Sequence, residues 1–217
     1  MIKAVIFDFD GTLADRAKGG CNAYRVYLKE FVVKEKVDPV YFEAMIQDLM
    51  LLDQFGTSNK KLIAEKFNRK YGYNIDHVHL YNWWVRNLGL YEPLFENTLK
   101  TLDYLKEKYK LGMITNGSII GQNIKIDSTN IRHYFDSIII SDEFGKAKPD
   151  VSIFNESLKQ LDVLPHEAIY VGDTYSNDIQ GAYNAGITPI WIWSDDGRYN
   201  LDSARRIYRI EELIGIL

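Results

Sequence analysis

Four short apolar runs in this chain end in the same way, and that shared ending limits the folds open to it. Ala4–Phe7 stops at Asp8-Phe9-Asp10-Gly11-Thr12, residues 110–114 stop at Thr115-Asn116-Gly117-Ser118, Ser137–Ile140 stops at Ser141-Asp142-Glu143, and residues 168–171 stop at Gly172-Asp173-Thr174. An unbroken apolar run of this length with a polar stop reads as a strand covered on both faces. Ile190-Trp191-Ile192-Trp193 reads as a fifth strand, with Trp191 and Trp193 packed against a helix. Helical patterns lie between the strands: residues 97–108 with apolar Leu99, Leu102 and Leu105, Val151–Leu161, and residues 175–185 closed by Gly186. Strands and helices alternating at this spacing predict βαβ units, a parallel sheet and an α/β, Rossmann-like fold. Right-handed crossovers place every strand's carboxyl end on one edge, so the polar stops converge.

Residues 15–92 interrupt the alternation. They carry helical periodicity (Tyr24, Tyr27, Leu28, Phe31; Phe42, Met45, Ile46, Leu49; Ile63, Phe67; Leu80, Trp84) with breaks at Asp38-Pro39, Gly56-Thr57-Ser58 and Gly72-Tyr73-Asn74. Four helices of these lengths predict a bundle inserted between the first and second strands, a cap over the sheet's polar edge. The expected division is a discontinuous core domain of residues 1–14 and 93–217 and a helical cap of residues 15–92. Aromatic residues make up 13% of the chain, and many of the 15 Tyr fall in the insertion. A small bundle builds its core from few residues, and large side chains bury the most area each.

Charge and cysteine content remove several function classes. The net charge is −4 and Lys and Arg form no block, which excludes nucleic acid and anionic membrane as expected partners. Asp8 and Asp10 interrupt the N-terminal apolar run before a signal-peptide core forms, and no later run approaches the ~18 residues of a membrane span. The expectation is a cytoplasmic protein. The single cysteine, Cys21, excludes an intrachain disulfide and reads as a buried small apolar residue. His77, His79, His133 and His166 are scattered, and the i, i+2 spacing of the first two does not face one side of a helix.

The chemistry lies in the stops. Asp8 and Asp10, two apart on an extended strand end, point the same way. Unit charges ~4 Å apart at an effective dielectric near 20 repel by about 4 kcal/mol, so the pair calls for a cation or a shared proton. Asp173 and Asp178 add carboxylate oxygens of the kind Mg²⁺ takes, with a charge complementing a helix N-terminus as the alternative reading of Asp178. Thr115-Asn116-Gly117-Ser118 offers a hydroxyl, an amide and backbone N–H groups, either as an oxyanion seat or as a turn with an N-cap. Pro149 suits helix position N1 and keeps Lys148 out of the helix, with Lys146 a competing cation.

Asp8-Phe9-Asp10-Gly11-Thr12, Thr115-Asn116, Lys148-Pro149 and Gly172-Asp173 with Asp178 resemble, in order and placement, the motifs of the haloacid dehalogenase-like hydrolases. The resemblance spans the Rossmann-like portion, and the insertion is similar to members with a helical cap between the first and second motifs. It implies a Mg²⁺-dependent phosphomonoesterase acting on a small phosphorylated metabolite, as a monomer or homodimer. Asp8 would attack phosphorus to form an aspartyl-phosphate, and Asp10 would protonate the leaving oxygen and then activate water. Thr115, Asn116 and Lys148 would bind the phosphoryl group. Asp8, Asp10 through its backbone carbonyl, and Asp173 would hold Mg²⁺, with Asp178 acting through water or on Lys148, and Thr12 and Gly11 shaping the turn. Dehalogenases of the family attack carbon and resemble Asp-x-Tyr where this chain has Asp10; a phosphomutase would pass the phosphoryl group to a sugar. A phospholigand-binding module without catalysis predicts a damaged motif, and none is visible.

Substrate choice is expected in the cap. Asp15, Arg16 and Lys18 either meet an anionic substrate or form a solvated hinge. Tyr81, Trp83, Trp84 and Arg86 either stack on a substrate or belong to the bundle, and the loop Gln54-Phe55-Gly56-Thr57 is a further candidate without a physical argument for its placement.

Overall fold

The computed structural model describes residues 1–192 and 203–217; Trp193 lies outside them. The chain divides into two compact units, one of Met1–Asp15 with Leu94–Leu217 and one of Arg16–Pro93. Among the described residues the first holds six parallel strands in the order β3-β2-β1-β4-β5-β6. These are β1 Ala4–Phe7, β2 Lys110–Thr115, β3 Ser137–Ile140, β4 Ala168–Gly172, β5 Thr188–Ile192 and β6 Arg205–Ile207. The last has charged Arg205 and Arg206 in place of an apolar run, so periodicity does not mark it as a strand.

The period of two along β1 explains the layers. Val5 and Phe7 join a core with Leu102 and Leu105 of helix α5 (Thr98–Lys106) and Ile126 of α6 (Ile119–Ser128). Ala4 and Ile6 face the opposite layer, with Phe154 and Leu158 of α8 (Val151–Leu161) and Ala182 of α9 (Gln180–Asn184); α7 (Ser141–Phe144) is a single turn after β3. Leu99 of the predicted apolar face is largely exposed. The N-cap of α8 is Asp150, whose carboxylate accepts from Ser152 N at 2.9 Å, so Pro149 lies before the helix and not at N1. Residues 175–185 are a π-turn, Tyr175–Ile179, followed by α9. Ala14 bridges to Leu94, so the chain leaves the sheet unit and rejoins it at one place.

The second unit contains α1 (Arg16–Tyr27), α2 (Pro39–Asp53), α3 (Lys60–Tyr71) and α4 (His77–Tyr91). Side chains of Asp38, Asn59 and Asp76 cap the last three, and Gly72 ends α3 in a left-handed conformation. Tyr24, Tyr27, Leu49, Phe67, Leu80 and Trp84 form its core, with the Tyr24 and Trp84 rings 4.3 Å apart. Cys21 is half-buried at the margin of this core rather than within it. Among the described residues no helix is long and apolar enough to cross a membrane.

Arg16 is not a solvated hinge. It is buried, and its Nη2 lies 2.8 Å from Asp53 Oδ2. Tyr24 donates to Asp53 Oδ1 at 3.0 Å, and Lys60 pairs with the same carboxylate while its Nζ stands 3.7 Å over the Trp84 ring. Burial by itself would raise the Asp53 pKa, but Arg16 and Lys60 outweigh it and hold the carboxyl below its ordinary value. A depressed native pKa contributes stability that is present above the ordinary carboxylate range and lost as pH falls through the native value. Asp53→Ala, which leaves two buried cations without their shared acid, is expected to cost about 3–5 kcal/mol at neutral pH. Urea unfolding followed by tryptophan fluorescence checks this, and a loss under about 1 kcal/mol, the range of a surface ion pair, would contradict it.

Candidate active site

The strand register brings the polar stops together. Phe7 pairs with Met113 on one side and Val171 on the other, and Asp8 N continues the ladder to Val171 O at 2.9 Å. Asp8 therefore leaves the sheet beside Gly172-Asp173. Lys148 Nζ lies 2.6 Å from Asp8 Oδ1, 2.7 Å from Asp178 Oδ1 and 3.0 Å from Tyr170 Oη, three acceptors for the three donors of an ammonium. Thr12 Oγ1 donates to Asp8 Oδ2 at 3.3 Å. Lys146, the competing cation, is exposed and pairs with Asp150.

Two glycines make this packing possible. A Cβ on Gly172 would lie 2.4 Å from Asp178 Cβ, and one on Gly11, whose φ is +84°, would lie 2.3 Å from Asp173 Oδ2. Asp178 is buried in the π-turn, where its Oδ2 accepts from Thr174 N at 2.9 Å while its Oδ1 faces Lys148. Its carboxylate thus caps a turn and belongs to the site at once.

Ligand atoms of Asp8, Asp173 and Asp178 lie within 4.8 Å of one another, an arrangement able to hold a metal ion. Burial pushes the Asp8 carboxyl up to about 7 against the pull of Lys148, with Asp178 and Asp10 adding to the rise. Burial, then the charges of Asp8 and Asp178, also drives Asp173 well above the ordinary range. Lys148 is also raised, but for the opposite reason: burial would lower it, and Asp178 and Asp8 outweigh burial and keep it charged. Three carboxylates around one ammonium fit a hard cation with oxygen ligands, because a second positive charge relieves the cost of ionising them.

Asp10 does not bring its carboxylate to this cluster; Gln122 Nε2 donates to its Oδ2 at 2.8 Å and Lys125 pairs with its Oδ1. Thr115 is fully buried, with Oγ1 2.6 Å from Gln122 Nε2. Asn116, expected on the phosphoryl group, uses its side chain on Lys148: Nδ2 donates to Lys148 O at 3.1 Å, and Lys148 N donates to Oδ1 at 2.9 Å. The amide completes a two-bond clip on the lysine backbone. Ser118 caps α6 by accepting from Gly121 N.

The cap candidates belong to the helical unit, Asp15 apart. Trp84 is core, Trp83 is half-buried against Tyr27 and Phe31, and Tyr81 and Arg86 are exposed. Gln54 begins a left-handed turn closed by Thr57 Oγ1 on its carbonyl. Asp15 is half-buried at the end of the sheet unit, and Lys18 is exposed. Sequence reasoning missed Tyr170, Gln122 and Lys125. Tyr170 hides in an apolar strand, and the three-residue spacing of the other two marks one helix face without saying what it meets.

A family model described as haloacid dehalogenase-like hydrolase matches residues 5–192. The chain belongs to that family. It is 32% identical over 203 residues to the glyceraldehyde 3-phosphate phosphatase of Methanothermobacter thermautotrophicus, covering 90% of this chain and 87% of that one. It is 34% identical over 214 residues to the Pyrococcus furiosus protein of the same name, covering 88% and 80%. Among solved structures, the HAD-hydrolase YfnB of Bacillus subtilis, bound to magnesium, shares the fold at a TM-score of 0.80 and 21% identity, with 100% and 98% of the two chains covered. Within its family this chain is an enzyme of the phosphatase type, a hydrolase acting on phosphoric monoesters.

A raised carboxyl pKa has the opposite linkage to that of Asp53. Between the ordinary carboxylate value of 3.8 and about 7, folded Asp8 retains a proton that the unfolded chain has released. Stability of the chelated protein should therefore fall as pH rises through that window. Thermal melts at stepped pH in the presence of chelator test this, and Asp8→Asn should flatten the slope; a chelated wild type that gains stability across the window would contradict the assignment.

Proposed function

We propose that this enzyme hydrolyses a small phosphorylated metabolite of the triose-phosphate class in the cytoplasm, using Mg²⁺ and an aspartyl-phosphate on Asp8. The observation that carries the proposal is the buried contact of Lys148 with Asp8, inside a cluster of acids that a divalent cation would complete. The names of the archaeal relatives support the substrate class, and the lone cysteine supports a reducing compartment.

An Asp8 oxygen attacks phosphorus, forming the O–P bond as the bond to the leaving oxygen breaks. Asp10 gives its proton to that oxygen. It then takes a proton from the water that attacks the acyl phosphate, which releases phosphate and restores the Asp8 carboxylate. Lys148 and Thr115 receive the phosphoryl oxygens, and Asp178, Tyr170 and the Asn116 clip hold Lys148 in place. Asp8 and Asp173, beside Asp178, would hold Mg²⁺, which would supply the positive charge needed to bring two anions together. Positioning and charge neutralisation supply most of the rate in phosphoryl transfer, and the motif residues are arranged for both. Attack on carbon with loss of halide needs no proton donor, so the presence of Asp10 favours the phosphate ester.

A panel of phosphorylated metabolites headed by glyceraldehyde 3-phosphate, assayed with Mg²⁺, tests substrate and reaction together. Asp8→Asn should lower kcat to below about a thousandth of wild type. Chelation should abolish turnover and Mg²⁺ should restore it. Full activity in either condition would overturn the corresponding role.

A further inference from the structure

Helix α6 directs two nearly buried polar side chains, Gln122 and Lys125, at the Asp10 carboxylate. They are three residues apart, so they share one face of the helix and lie on adjacent turns. Gln122 Nε2 meets Oδ2 at 2.8 Å and Lys125 Nζ meets Oδ1, so each carboxylate oxygen has a donor of its own from one rigid element. The Gln122 amide nitrogen also lies 2.6 Å from Thr115 Oγ1 and 2.8 Å from the Asn116 carbonyl, which ties the grip on Asp10 to the loop after β2.

We propose that Gln122 and Lys125 are positioning residues that hold the Asp10 carboxylate by both oxygens in line with the leaving group; the inference rests on Asp10 being the proton donor of the phosphatase reaction. Asp10 stands on the loop just before Gly11, whose left-handed conformation turns the chain toward Ala14, and its side chain has two free torsions. The Asp8 carboxylate two residues away repels it. A single contact would leave a torsion open, whereas two contacts from one helix close both. A reacting group displaced by about 1 Å loses on the order of 100-fold in rate, so a carboxylate on a loop gains more from such a grip than one on a strand. Burying a lysine stem and an amide at this point is costly unless both are hydrogen-bonded, and Asp10 provides acceptors for both. The Lys125 carbonyl accepts from Ser128 and Thr129 hydroxyls, which finish the helix end around it.

Proton donation matters in proportion to how poorly the leaving group departs unaided, and this separates a positioning role from a structural one. With full-length enzyme and Mg²⁺, wild type and Lys125→Met are compared on glycerol phosphate, an alkyl ester, and on p-nitrophenyl phosphate, whose phenolate leaves without a proton. Lys125→Met should lower kcat on the alkyl ester roughly 10- to 100-fold. First-turnover release of nitrophenolate should fall less than about 3-fold, followed by slower steady-state turnover because Asp10 must also activate water. Lys125→Arg, which keeps a cationic donor, should recover the alkyl ester to within about 5-fold of wild type. Should Lys125→Met not fold, Lys125→Gln, which keeps an N–H donor at shorter reach, carries the same comparison. A first-turnover loss on p-nitrophenyl phosphate as large as the loss on the alkyl ester, or no loss on the alkyl ester, overturns the grip on Asp10 while leaving the phosphatase reading intact. Wild-type protein that hydrolyses neither these esters nor any member of the metabolite panel would overturn both.

Discussion

The Lys148 ammonium, buried between Asp8 and Asp178 and resting on Tyr170, is the interaction on which the sheet unit depends. It joins three stretches of chain that are far apart in sequence, and all three of its donors are used. Remove it and two carboxylates with depleted solvation face each other without a cation. The clip from Asn116, the Thr174 contact of Asp178 and the missing side chains of Gly11 and Gly172 all serve to let this one charge sit where it does. Charge attraction outweighs burial at Lys148, which stays charged, whereas at Asp8 burial wins and lifts the carboxyl to about 7.

The helical unit solves a similar problem with the signs reversed. There one carboxylate, Asp53, is shared by Arg16 and Lys60, with the Tyr24 hydroxyl and the Trp84 ring completing the surroundings. Acid is scarce relative to cation in that cluster, while in the sheet unit acid exceeds cation. The consequence shows in the titration behaviour. Asp53 is held below its ordinary value, whereas Asp8 and Asp173 are driven above theirs, the condition that a further cation relieves. Both clusters lie among large aromatic side chains, but it is the cluster of the sheet unit that calls for a further cation.

The strands and their polar stops were legible because they are local. A run such as Ala4–Phe7 is apolar at every position whichever residues flank it in space, and crossover handedness then sends all the stops to one edge. The motif acids and Lys148 could be read for the same reason: their residue types and order carry the chemistry. The misreadings came where a side chain had two possible destinations. Arg16 looked like a hinge or a substrate contact and turned out to be a buried ion pair, because a guanidinium near an acid on another helix leaves water once the helices pack. The side chain of Asn116 is a second case: its amide, read as a group for phosphate, is engaged with the Lys148 backbone.

What the sequence by itself determined, then, is the α/β class, the four converging stops and the acids and lysine of the candidate site, since each follows from periodicity or from residue chemistry at a fixed spacing. The tertiary structure alone decided which atoms meet. Asp10 and Lys125 are 115 residues apart, and Lys148 and Asp8 are 140 apart. Contacts across such distances depend on strand register and helix rotation, which set side chains to within an ångström or so, a precision that no pattern of apolar and polar letters contains.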